Sequence, residues 1–98
     1  TSANQEDHVS MATFAARRLT PMAANVARIV AIELIAATQG VDLRQPLATS
    51  PQLAAAMALV RADVAFWDRD RAFAPDLEVI RTRVERGDFV AFAPLTQT

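Results

Sequence analysis

The sequence predicts an all-α fold: one long, kinked helix followed by two shorter ones, packed as a helical bundle that also meets other subunits. Three observations carry this. Apolar residues recur at steps of three and four along the first forty positions. Two later segments open on Ser50-Pro51 and on Pro75, both favoured at helix starts. No stretch shows the two-residue alternation or the turn punctuation of a strand.

The first helix is read from Glu6 to about Gln39. Its apolar face runs through Met11, Phe14/Ala15, Leu19, Met22, Val26, Ile29/Val30 and Ala37. Ser2 or Asn4 is placed to cap it, with Glu6 and Asp7 near the positive end of the helix dipole. Gly40 is the expected C-terminal stop. Pro21 removes one interior hydrogen bond, so a kink near Arg17 and Arg18, or two helices meeting at Pro21, is expected. From Val26 to Ala37 the apolar residues point nearly all round, which predicts neighbours nearly all round.

Val41 to Ala48 reads as a connector holding Pro46. The second helix starts with Ser50 as N-cap, carries Leu53, Met57 and Val60 inward, and runs to about Ala62. The third starts at Pro75 with Asp76 and Glu78 in its first turn, turns Leu77, Ile80 and Val84 inward, and stops at Gly87. The tail from Asp88, with Phe89, Val90, Phe92 and Pro94, is either a last helical turn or a short extended piece. The whole, residues 1–98, reads as a single unit.

Composition narrows the function classes. The chain has 98 residues, 52% of them hydrophobic, with 21 alanines and two glycines. A domain of this size buries only about 60–70% of its unfolded surface, so much of this apolar content has to lie outside. Ten basic against eleven acidic residues leave a net charge of −1, without the footprint of a nucleic-acid or anionic-membrane binder. Without cysteine there is no disulfide, thiolate metal site or cysteine nucleophile. The polar, acidic start, Thr1 to Asp7, is unlike a secretory signal, and a cytoplasmic location is expected. Met22 to Ala37 is apolar at thirteen of sixteen positions, short of the roughly 20 that a bilayer requires. It also carries Arg28 and Glu33, so a buried helix fits it better than a membrane span.

The densest set of functional groups is Asn4-Gln5-Glu6-Asp7-His8 with Ser10. On a helix Glu6 and Ser10 share a face, whereas Glu6, Asp7 and His8 point about 100° apart. They cannot converge on one metal, and no metal site is expected from the lone histidine. The same spacing breaks the nucleophile–base–orienter line that a hydrolase built on Asp7, His8 and Ser10 requires. A solvated helix start is the commoner meaning of such a cluster.

Glu33, set among aliphatics, is either a buried acid with a raised pKa or a residue that pairs or reaches the surface, and the second is commoner. Asp68-Arg69-Asp70-Arg71 reads as a self-neutralising solvated loop rather than a phosphate or partner site. Phe66, Trp67 and Phe73 read as core packing, since no basic patch accompanies them.

The opening block Thr1-Ser-Ala-Asn-Gln-Glu-Asp-His-Val-Ser-Met11 resembles the corresponding segment of histidine ammonia-lyases, in the aromatic amino acid lyase family. The likeness continues in register through Ala15-Ala-Arg-Arg-Leu19, Met22-Ala-Ala-Asn25, Ala31-Ile-Glu-Leu34 and Gln39-Gly-Val-Asp-Leu-Arg44. It then takes in Thr49-Ser-Pro51, Trp67-Asp-Arg-Asp-Arg71 and Phe73-Ala-Pro-Asp76. The departures are Ala12 where Gly is frequent, Thr20-Pro21 for a more helix-friendly pair, and Ala72 where Phe is common.

The resemblance implies a C-terminal helical segment of an enzyme that removes ammonia from L-histidine without oxidation, giving urocanate. It implies Glu6 as the catalytic acid near the substrate, and Gln5 with Glu6 as substrate-binding residues. The family's electrophile is a methylidene-imidazolone (MIO) made from an internal Ala-Ser-Gly, a run these 98 residues lack. The segment is therefore expected to carry no cofactor and to be inactive alone, with further copies or the N-terminal lyase portion as partners. The alternative is a standalone helical oligomerisation module without catalysis. Neither nucleic acid nor membrane is an expected partner.

Overall fold

A computed structural model describes residues 11–93. Among these, the chain forms helix α1 (Ala12–Asp42), helix α2 (Pro51–Asp63), helix α3 (Ala74–Glu85) and a short 3-10 turn at Val90–Phe92. The all-α expectation holds, and the described residues contain no strand.

α1 runs without interruption through Pro21, so two helices meeting there is overturned. At about 1.5 Å per residue its 31 residues extend for roughly 46 Å. The proposed caps Ser2 and Asn4 lie outside the described residues.

Gly40 does not stop α1, which continues to Asp42. Glycine permits a left-handed stop but does not impose one. Here Gln39 and Asp42, on either side of it, are both held by Arg61 of α2, and that tertiary grip carries the helix past the glycine. The chain then turns, Leu43 N–H donating to Gln39 C=O and Arg44 N–H to Val41 C=O, and passes the cis Gln45–Pro46 bond.

α2 begins as expected. Ser50 Oγ accepts from Leu53 N–H at 3.3 Å and Pro51 fills the first helical position, where a missing N–H costs nothing. Val60 is buried and Met57 half-buried, but Leu53 is 55% exposed, a departure from the expected inward stripe. α3 carries Pro75 and Asp76 in its first turn and ends just before Gly87. That glycine has φ +81°, the left-handed conformation that a side chain resists. Of the tail, Val90–Phe92 forms a 3-10 turn, to which Gln52 of α2 donates at Phe92 C=O (3.3 Å), while Pro94 lies outside the described residues.

α1 packs chiefly on α3, then on α2. The core is Ala31 and Ile35 of α1, Val60 and Val64 at the end of α2, and Ile80 of α3. Leu34, Trp67, Leu77, Val84 and Phe89 close over it. All of this lies on the C-terminal half of α1. Residues 11–23 of the helix are exposed throughout, forming an arm that projects from the packed head.

The radius of gyration, 19.4 Å, is well above the ~13 Å of a compact domain of this length. The expectation that the apolar half of α1 has neighbours nearly all round is therefore not met among the described residues. Met22, Val26, Ile29 and Ile32 are each more than half exposed.

By length and composition α1 could cross a bilayer, its most apolar 18-residue window having a mean hydropathy of 1.5. The expectation that this stretch is too short does not hold for the helix that carries it. Its inner face is nonetheless committed to protein, with Ala27, Ala31, Ile35 and Thr38 buried in the head.

Candidate functional site

The residues expected to carry chemistry, Gln5 and Glu6 with Asp7, His8 and Ser10, lie outside the described residues. What the structure describes is the frame beyond them: the arm of α1, which starts at Ala12, and the head that anchors the other end of the same helix.

The anchor is a polar clamp between α1, the end of α2 and the loop after it. Arg61 donates through Nε (2.9 Å) and one terminal nitrogen (2.7 Å) to Asp42 Oδ2. It also reaches Gln39 Oε1 at 3.1 Å and Val64 C=O at 3.2 Å. Gln39 in turn pairs with the backbone of Trp67, its amide donating to Trp67 C=O (3.1 Å) and its oxygen accepting from Trp67 N–H (3.2 Å). Both charged groups of the Arg61–Asp42 pair are about one-fifth exposed, so the pair is shielded, and the guanidinium's bonds to Gln39 and Val64 hold it in place.

A second knot fixes the loop between α2 and α3. Trp67 Nε1 and Arg71 Nε both donate to Asp76 Oδ2 at 3.1 Å. Arg71 also bonds Ala65 C=O (2.7 Å) and stands 5.6 Å above the Trp67 ring. Trp67 and Phe73 rings lie 4.4 Å apart, but of the three aromatics expected in the core only Trp67 packs against it, Phe66 and Phe73 being exposed. The expectation for this loop needs correcting. Asp68, Arg69 and Asp70 are solvated, but Arg71 is drawn out of the alternating run because loop carbonyls and Asp76, in the first turn of α3, offer it better partners.

Glu33 lies exposed on α1, so the commoner of its two readings holds. A third set of charges decorates α3. Arg81 bridges Glu78 and Glu85, and Arg83 bridges Asp63 and Asp88. The hydrogen bond from Arg81 holds the Glu78 carboxyl below the usual carboxylate range, and that from Arg86 does the same for Asp88. Arg81 and Arg83 are raised by their hydrogen bonds to Glu78 and Asp63 respectively.

None of these groups is arranged to transform a substrate. An apolar groove of about 360 Å³ opens between α1 and α3, lined by Ile32, Ile35, Ala36, Trp67, Phe73 and Leu77, and it holds no nucleophile or acid. Among the described residues no three His, Cys, Asp or Glu side chains come together as a metal site. The head is a scaffold whose polar networks fix the direction of α1. Sequence reading missed Gln39, Asp42 and Arg61 as a set. The available signal was Arg61 itself, the one charge before Asp63 in an otherwise alanine-rich helix.

The family model for aromatic amino acid lyases matches residues 1–62, more than half of the chain. The chain belongs to the aromatic amino acid lyase family. Within this family it is 64% identical over 96 residues to the histidine ammonia-lyase of Burkholderia mallei, covering 98% of this chain and 19% of that protein. The histidine ammonia-lyase of Aromatoleum aromaticum is 57% identical over 96 residues, again 98% of this chain and 18% of that protein. The crystal structure of histidine ammonia-lyase from Trypanosoma cruzi superposes with a TM-score of 0.81 at 40% identity. It covers 94% of this chain and 18% of that one. The chain thus spans about a fifth of the length of the lyases it matches. The long helix and its head are a piece of that helical lyase fold.

Proposed function

We propose that this chain is the C-terminal helical segment of a histidine ammonia-lyase, contributing to the removal of ammonia from L-histidine to give urocanate. The observation that carries the reading is 64% identity to a histidine ammonia-lyase across 98% of the chain.

In this reading Glu6 is the acid beside the substrate and Gln5 a neighbouring polar contact. A carboxylate suits that position because it balances the substrate's ammonium and can exchange a proton as the amine leaves. The clamped head would set the direction of α1, and hence where residues ahead of Ala12 meet the rest of the site.

The family's MIO electrophile supplies the electron sink for elimination when present. The residues here do not fit its formation, because the Ala-Ser-Gly run it is built from is absent. The segment therefore depends on a polypeptide that supplies that run, carries no cofactor itself, and works in the cytoplasm as part of an oligomer.

The test is to follow urocanate absorbance with L-histidine, first for the purified chain and then for the chain combined with the Ala-Ser-Gly-bearing portion of a relative. The expected result is no turnover alone and turnover on combination, lost by roughly 10²–10⁴-fold in Glu6→Gln. Turnover by the chain alone, or an unchanged rate in Glu6→Gln, overturns the proposal. Failure of the two parts to combine, with a discrete oligomer of the bare chain, would favour the second reading, a standalone oligomerisation module. The bare outward face of α1 is what keeps that reading open.

A further inference from the structure

Near the inner end of its exposed arm, α1 contains a pair of residues that the chain uses elsewhere to begin a helix. At Ser50-Pro51 the serine is extended (φ −62°, ψ 155°), its Oγ accepts from Leu53 N–H, and the proline stands at the first helical position. Thr20-Pro21 has the same make-up: a hydroxyl residue suited to capping, then a residue favoured at a first helical position. Yet α1 holds the two inside the helix, as its ninth and tenth residues.

Both are poorly used there. Pro21 has no N–H to give to Arg17 C=O, and its ring crowds that carbonyl. Thr20, preceding a proline, is steered away from the helical region and towards the extended one that a cap adopts. The residues ahead of the pair give little in return. No side chain from Ala12 to Ala23 is buried. Met11, at the N-cap position, makes no side-chain bond, and the first turn carries no acid to meet the helix dipole. Arg18 stands over the Phe14 ring at 5.7 Å, an exposed contact and a weak one. Beyond Pro21 the balance reverses. Ala27, Ala31, Ile35 and Thr38 fasten α1 into the head, and a helix that begins at Pro21 keeps all four.

We propose that α1 has two starts, the long form from Ala12 exchanging with a shorter one that begins at Pro21 and is capped by Thr20. In the shorter form Thr20 Oγ1 accepts from Ala23 N–H, as Ser50 Oγ does from Leu53 N–H, and residues 12–19 uncoil. No second helix forms ahead of the proline, and the head is the same in both forms. The shorter form predominates while the arm is bare. Phe14 and Leu19 are 56% and 62% exposed in the long form, and covering them draws the chain into it. Residues ahead of Ala12 inherit the direction of α1 only in the long form. The inference concerns α1 alone and does not rest on the lyase reading; its test reads backbone conformation, not urocanate.

The test is nuclear magnetic resonance of the purified 98-residue chain in dilute solution, where Cα chemical shifts report helix residue by residue. Thr13 to Leu19 should lie near random-coil values, and Ala27 to Thr38 at fully helical ones. Pro21→Ala should raise the ratio of long to short form by about 10²-fold, bringing the two to comparable populations. In that background Thr20→Val, which removes the cap hydroxyl and keeps the branched shape, should raise the ratio about fivefold more. Thr20→Ser retains the hydroxyl and should leave the ratio nearly unchanged. So should Thr13→Val, the same change away from the cap. The emission of Trp67 should be the same throughout, because the head is. Fully helical shifts from Thr13 to Leu19 in the unaltered chain overturn the proposal, as does Pro21→Ala without effect on them. Equal effects of Thr20→Val and Thr13→Val, or a change in Trp67 emission that follows the ratio, also overturn it.

Discussion

Ile80→Ala is the sharpest test of how the head is held. Ile80 has no exposure and lies among Ala31, Ile35, Val60 and Val64, side chains from α1 and the end of α2. The substitution removes three carbons. At ~0.8 kcal/mol for each methylene-sized group, lost burial costs about 2.4 kcal/mol. A residual cavity adds to this, because Val60 and Val64 are already fully packed and cannot follow the lost atoms inward. Together the loss is about 3–4 kcal/mol, inside the range of large-to-alanine core changes. With 1 kcal/mol shifting the melting temperature of a small domain by ~4–8 °C, the midpoint should fall by roughly 12–32 °C.

The assay is thermal unfolding followed by far-ultraviolet circular dichroism, with Leu47→Ala as control. Leu47 is 71% exposed in the connector, and its truncation should cost no more than about 0.5 kcal/mol. Ile80→Val, at about 0.5–1.5 kcal/mol, keeps the comparison measurable if the alanine variant is unfolded at the outset. Equal shifts for Ile80→Ala and Leu47→Ala, or an Ile80→Ala shift below about 5 °C, would refute the reasoning, because the three helices would then not be joined through Ile80.

Two further predictions follow from the polar networks. Arg61→Met keeps most of the side-chain stem but strands Asp42 and Gln39. It should lower stability by about 2 kcal/mol in urea unfolding and red-shift the emission of Trp67, the only tryptophan. Acid should loosen α3. The Glu78 and Asp88 carboxyls are held below the usual carboxylate range in the folded chain, so their stabilisation is complete above that range and disappears as pH falls through their folded values. The urea midpoint should drop between pH 7 and pH 3, and less steeply in a Glu78→Gln/Asp88→Asn variant, by a small margin because both groups are open to solvent.

Elements with a local cause were legible in the sequence. Ser50-Pro51 marks the start of α2 because capping and a tolerated proline act within one turn, and Gly87 marks the end of α3 because a positive φ selects glycine. Ile80 was legible as core from its spacing to Leu77 and Val84. Where a distant partner decides the outcome, local rules fail. Gly40 was expected to end α1, yet Arg61, nineteen positions beyond Asp42, holds the helix through it. Arg71 looked like one member of a solvated charge run, yet carbonyls of the preceding loop and Asp76 capture it. Of the candidate site, the roles proposed for Gln5 and Glu6 rest on resemblance alone, and both residues lie outside the described ones. No periodicity or spacing distinguishes a substrate-facing acid from a helix-start acid.

The excess of apolar residues now has a location. Isolated helices shorter than about 12–15 residues are marginal in water, and most helix stability comes from packing an apolar face. Residues 12–23 of α1 form just such a length, with no buried side chain among them. The head needs only the stretch from Ala27 onward, so nothing among the described residues accounts for the apolar character of the arm. The residues that the head leaves bare are also not scattered. They follow the side of α1 opposite the packed one, through Met11, Met22, Val26 and Ile29, and extend that surface alongside the head itself. A random surplus of apolar residues would fall on all sides of the arm and stop where the head begins. A second stripe, continuous past that boundary, is what a helix built to pack on two sides displays.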